Sequence, residues 1–79
     1  MRRGIPLARV SEVVSRPEQI VHERDALRAY QSRIIWTDGR VFLLRVIVDD
    51  SIEPVVIVTA YRTSKIEKYW REDEDLLRS

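Results

Sequence analysis

The 79-residue chain contains no cysteine, which excludes disulfides, thiolate metal sites and cysteine nucleophiles together. Nothing in it therefore requires an oxidising compartment. It has a single histidine, His22, too few nitrogen ligands for a zinc set once cysteine is gone. Long apolar runs are also missing: "MRRGIPLARV" opens with two arginines and continues into no apolar core, and no window approaches the roughly 18 residues of a membrane span. The expectation from these absences is a soluble cytoplasmic protein with no membrane segment, no metal and no cofactor. An excess of one charge is lacking too, since 14 basic and 13 acidic side chains leave a net +1. The field of the whole molecule makes no case for nucleic acid.

What is present suffices for one domain over residues 1–79, with 71–79 expected to be a frayed, charged tail. Hydrophobic residues at 44%, beside charged residues at 34%, are enough apolar material for one thin core and too much for an intrinsically disordered chain. Charge is segregated. Acids gather at Asp49–Glu53 and Glu72–Asp75, while Arg62, Lys65 and Lys68 lie between them and Arg33, Arg40 and Arg45 precede the first, so a local basic surface can exist on a nearly neutral protein.

In "IPLARVSEVVSRP", Leu7, Val10 and Val14 stand at helical spacing, Pro6 suits a first turn and Pro17 ends the helix at Arg16. A helix this short must dock on something. "EQIVHE", "YQSRIIW" and "RVFLLRVIV" read as strands, with "RDALRA" a loop between the first two. Asp38-Gly39 signals a two-residue type I′ hairpin, which would set Trp36, Ile34 and Ser32 against Val41, Leu43 and Arg45 on one side of the sheet. The other side would carry Arg33, Ile35, Phe42, Leu44, Val46 and Val48 and receive the first helix. "VVIVTAY" is a nearly continuous β-branched run, as a strand buried on both faces or in the sheet centre would be. Ser64 and Glu67 have capping-box spacing, with Ile66, Tyr69 and Trp70 on one face of a C-terminal helix. The class is α+β: an N-terminal helix packed on a three- to four-stranded, mostly antiparallel sheet, and a short C-terminal helix.

Three stretches, "RGIPLARVSEVVSRPEQIV", "DGRVFLLRVIVDD" and "VTAYRTSKIEKYW", together resemble the small bacterial proteins of the family termed domain of unknown function 4258. That family is suspected to be related to the RelE-like ribonuclease toxins of toxin-antitoxin systems, which cleave RNA without a metal. The resemblance implies a RelE-like layout, RNA as substrate and a cognate antitoxin as partner. It also implies attack of a ribose 2′-hydroxyl on the adjacent phosphate, which needs cations for the phosphorane and a group to move protons. Family members carry a further helix with histidine and arginine ahead of the "RGI" element. This chain opens at about that point with Met1: either the helix is absent or the reading frame begins late, and a histidine there would be a functional group that the given chain lacks.

Two readings follow for the candidate residues. As a ribonuclease, Arg45, Lys65 and Tyr69 would be catalytic, and Arg62, Tyr61 and Lys68 would bind RNA through phosphate contact and stacking. As structure, Arg45 would be an exposed or acid-paired interruption of an apolar strand, Ser64 a helix cap, Tyr69 and Trp70 a core lid, and the lysines solvated. His22 lies in the charged "VHERD" and reads as a solvated strand end, Trp36 as core, and Asp49-Asp50 and Asp73-Asp75 as solvated acids. The rival to RNA chemistry is a noncatalytic interaction module or homodimer that buries edge strands and an uncovered sheet face.

Overall fold

The computed structural model describes residues 4–72. They form helix α1 (Leu7–Ser15), strands β1 (Gln19–Arg24), β2 (Leu27–Ile35), β3 (Val41–Asp49) and β4 (Val56–Thr63), and a single turn of helix, α2 (Ile66–Tyr69). The strands make one open sheet in the order β1-β2-β3-β4 with every neighbouring pair antiparallel, an α+β arrangement. Among the described residues no helix is long and apolar enough to cross a membrane.

Pro6 stands just outside α1, where its carbonyl accepts from the backbone N–H of Arg9 at 3.0 Å. At the far end Arg16 takes φ −140°, ψ 67°, the non-helical geometry that Pro17 imposes on its predecessor. The buried stripe differs from the expected one. Val10 and Val13 are buried and Val14 is partly so, but Leu7 is 63% exposed. Ile5, ahead of the helix, joins the core cluster instead and Leu7 turns to solvent.

α1 packs against β2 and β3, and the alternating residues Phe42, Leu44, Val46 and Val48 form the core floor beneath it. Their partners on β2 are not those expected. The hairpin spans three residues rather than two: the N–H of Gly39 donates to the carbonyl of Trp36 at 2.8 Å, and the N–H of Trp36 donates to the carbonyl of Arg40 at 2.8 Å. Of the turn residues only Gly39 has positive φ, 85°, as in a type I turn followed by a left-handed residue. The extra residue slips the register by one. Ile34 pairs with Phe42, Ile35 with Val41 and Gln31 with Arg45, so Ile34 is buried beneath α1 and Ile35 is 64% exposed. A Cβ at Gly39 would meet nothing within 4 Å, so the only penalty of Gly39→Ala is conformational. It is expected to destabilise by about 1 kcal/mol, read from a urea midpoint.

Two further expectations are corrected. Asp25 adopts φ 52°, a conformation aspartate tolerates, and closes a tight β1–β2 turn, so Leu27, Arg28 and Ala29 of the expected loop belong to β2. β4 is an edge strand, not a central one, with Val56, Ile57 and Val58 exposed by 46%, 45% and 53%. A continuous β-branched run fits a buried strand, but a meander puts its last strand outside. The expected tail lies mostly beyond the described residues.

Candidate functional site

On the face opposite α1, one row of side chains crosses all four strands. Gln19 pairs with Gln31, Gln31 with Arg45, and Arg45 with Tyr61. Arg45 is only 3% exposed. Its Nε donates to Gln31 Oε1 at 2.8 Å, one terminal nitrogen to the Tyr61 hydroxyl at 2.6 Å, and the other to Glu23 Oε1 at 3.0 Å. All three guanidinium nitrogens are thus engaged. The carboxylate supplies the opposite charge that a buried arginine requires.

The C-terminal segment closes over this row. The Tyr69 ring centroid lies 4.2 Å from the Arg45 guanidinium carbon, and Tyr69 meets Tyr61 edge-on at 6.5 Å. Side-chain amides hold the backbone of the same segment. Gln31 Nε2 donates to the carbonyl of Tyr69 at 3.2 Å, Gln19 Nε2 to the carbonyl of Arg71 at 3.0 Å, and the Arg71 N–H donates back to Gln19 Oε1 at 3.2 Å. Gln31 Nε2 also donates to Gln19 Oε1 at 2.8 Å, which links the two amides. Trp70 lies under the Arg33 guanidinium at 4.3 Å, and Arg33 in turn pairs with Glu18. Among the described residues no buried side-chain nitrogen or oxygen lacks a partner. Burial pushes the Tyr61 phenol up, although Arg45 acts in the opposite direction, so the hydroxyl is protonated at neutral pH.

The fold therefore brings Arg45, Tyr61 and Tyr69 together and separates them from Arg62. Arg62 pairs with Leu44 and lies on the α1 face, its guanidinium 4.0 Å from the Trp36 ring and 4.5 Å from Phe42. Lys65 and Lys68 are exposed, and the Lys68 ammonium is 5.3 Å from the Tyr69 ring. The capping box does not form: Lys65 occupies the cap position without a side-chain cap, and its N–H donates to Thr63 Oγ1 at 3.1 Å. The helix begins at Ile66, so the cap falls on Lys65 rather than Ser64, and Ser64 and Glu67 lose the cap-to-third-residue relation that their reciprocal exchange needs.

Gln19, Gln31 and Glu23 escaped the sequence reading. The available signal was polar residues at alternate positions of β1 and β2, but it becomes meaningful only in the three-residue-loop register. Trp36 is half-buried and edge-on to Phe42 at 6.1 Å, an aromatic contact across the hairpin. His22 is exposed, its Nε2 3.1 Å from the Asp25 carbonyl oxygen. Among the described residues no group of acids or histidine is arranged to hold a metal, and Asp73 and Asp75 lie outside them. An open groove of about 510 Å³ between α1 and β2, lined by Arg9, Glu12, Arg16, Glu18 and Arg33 with apolar neighbours, mixes both charges.

Asp50, at the end of β3, is spoken for locally. It pairs with Arg28 at 2.7 Å and accepts from the Tyr30 hydroxyl at 2.7 Å. Hydrogen bonding from Arg28, then from Tyr30, holds its carboxyl below the usual carboxylate range. With the folded-state value the lower one, its stabilising contribution is present above about pH 4 and is lost as pH falls through the folded value. Tyr30 behaves oppositely. Donating to Asp50 raises its phenol, so that contribution is full below about pH 10 and fades as pH rises past the folded value. Asp50→Asn is expected to flatten the acid limb of a thermal-midpoint profile recorded down to about pH 2.

In class this is a small α+β meander domain with a fully partnered arginine network on one sheet face and a strand edge open to solvent. Compared with protein-family models, with curated proteins and with solved structures, the chain has no match.

Proposed function

We propose that the chain is a noncatalytic association module whose working surface is the outer edge of β4. The observation that carries this reading is the engagement of Arg45. A cation that must stabilise a phosphorane has to be reachable by solvent-borne RNA, and Arg45 is buried, neutralised by Glu23 and bonded to Gln31 and Tyr61. Its geometry suits fastening the C-terminal segment to the sheet. Val55, Val56, Ile57 and Val58, by contrast, present apolar surface on an open edge.

A benzophenone side chain introduced at Val58 in cells is expected to cross-link a protein whose adduct mass identifies it, while the same group at Arg40 is not. Absence of any adduct at Val58, with RNA cleaved by the purified protein in chelator, would overturn the reading. The RNA alternative rests on Lys68, an exposed ammonium beside the Tyr69 ring. It expects cleavage of end-labelled RNA that is lost in a folded Lys65→Ala/Lys68→Ala variant.

A further inference from the structure

We infer that the partner of the β4 edge is a second copy of this chain, paired antiparallel across a two-fold axis; the inference rests on the association reading above. The two outer edges of the sheet are built differently. β1 ends in His22, Glu23 and Arg24, charged or polar side chains of the kind that blunt an edge against pairing. β4 and the residue before it read Val55-Val-Ile-Val-Thr-Ala-Tyr61 without a charge, and its exposed residues are all apolar from Val55 to Val58. An unpaired strand edge with such a sequence is a template for another strand.

What selects a second copy is the distribution of charge on either side of that neutral stretch. Before it stands Glu53, since Asp49 belongs to β3 and Asp50 is held by Arg28 and Tyr30; after it stand Arg62 and Lys65. A strand that is acidic at its start and basic at its end is complementary to itself only when it runs antiparallel, since each acidic end then meets the basic end of the other copy. Pairing centred between Ile57 and Val58 sets Val56 against Thr59 of the second copy and Val55 against Ala60, and brings Glu53, just beyond the ladder, toward Arg62 of the second copy. Among the described residues neither Glu53 nor Arg62 makes an ion pair, although the Arg62 guanidinium lies against the Trp36 and Phe42 rings, so both charges are open to an opposite partner. Parallel pairing would instead set like charge on like charge at both ends.

β4 contains a bulge at Val58, where the register with β3 shifts between Ile47 and Val48. The added twist limits the ladder to a few residues. Pro54, lacking an N–H, ends it on the acidic side. A pairing this short buries less than a standard interface, so the dimer is expected to be weak and concentration-dependent.

The test is sedimentation velocity on the full chain from about 1 μM to about 1 mM, the range in which weak complexes assemble. The variants are Ile57→Lys, Glu53→Arg, Arg62→Glu and the double Glu53→Arg/Arg62→Glu. All three positions are exposed, so circular dichroism should show each variant folded. The parent is expected to dimerise and Ile57→Lys to stay monomeric. Each single reversal, repeated at both symmetric contacts, is expected to weaken the dimer about tenfold, and the double reversal to restore it to within about threefold. A parent that remains monomeric throughout overturns self-pairing alone, and the adduct at Val58 then has the mass of a different chain. A dimer indifferent to Ile57→Lys overturns the β4 assignment itself. A dimer that needs Ile57 but ignores both charge reversals overturns the antiparallel arrangement.

Discussion

Arg45→Ala is expected to destabilise the domain by about 3 kcal/mol or more, a large share of the roughly 4–12 kcal/mol available to a chain of this size. The substitution removes the donor to Gln31 Oε1, a buried acceptor, and frees the Tyr61 hydroxyl and the Glu23 carboxylate. It also leaves a cavity beneath Tyr69, whose ring stands over the guanidinium. Glu23 is the most exposed member, with its side chain 33% accessible, and can return to water, so most of the loss falls on the Gln31 acceptor and the cavity. Arg45→Met, which refills the volume without restoring the hydrogen bonds, should recover part of the loss. Urea denaturation of the two variants beside the parent decides the matter. A midpoint unchanged in Arg45→Ala would mean that the network is not structural, and would return Arg45 to the list of groups free to meet phosphate.

The second large effect lies on the other face of β2. Ile34→Asp is expected to cost at least about 3 kcal/mol and to abolish folding in a marginal background, because it puts a carboxylate among Val13, Phe42 and Leu44 under α1. Ile35→Asp, one residue along, should change stability by no more than about 0.5 kcal/mol, since that side chain is largely in water. The pair measures the hairpin register directly. Equal effects at both positions, or a larger one at Ile35, would indicate the two-residue turn and the opposite assignment of faces. Thermal melts with matched far-ultraviolet spectra are sufficient.

These two expectations also mark what could and could not be read from the residues. The run Phe42 to Val48 alternates around Arg45 clearly enough to name the apolar face of β3 and to place α1 on it, and the structure agrees. Arg45 was conspicuous for the same reason, as the one charge in the run from Phe42 to Val48. Its partners were not legible. Gln31 and Glu23 lie 14 and 22 residues away along the chain, and Gln31 meets Arg45 only because Thr37, Asp38 and Gly39 together make the turn. Two-fold periodicity states that a strand has two faces. It does not state which face of a neighbour each will meet, and a single loop residue reverses the answer.

The sequence by itself determined the class of the domain, the helix bounded by Pro6 and Pro17, the strand character of the four segments and the apolar row beneath α1, because these depend on local conformational preference and spacing along one element. Only the tertiary structure decided that β4 is an edge, that Arg62 is separated from Arg45, and that Arg45, Tyr61 and Tyr69 converge with Gln19, Gln31 and Glu23. Each of those is a relation between elements. Strand order and register depend on loop lengths and long-range pairing, so a β-branched run looks the same whether its outer side faces another strand or water.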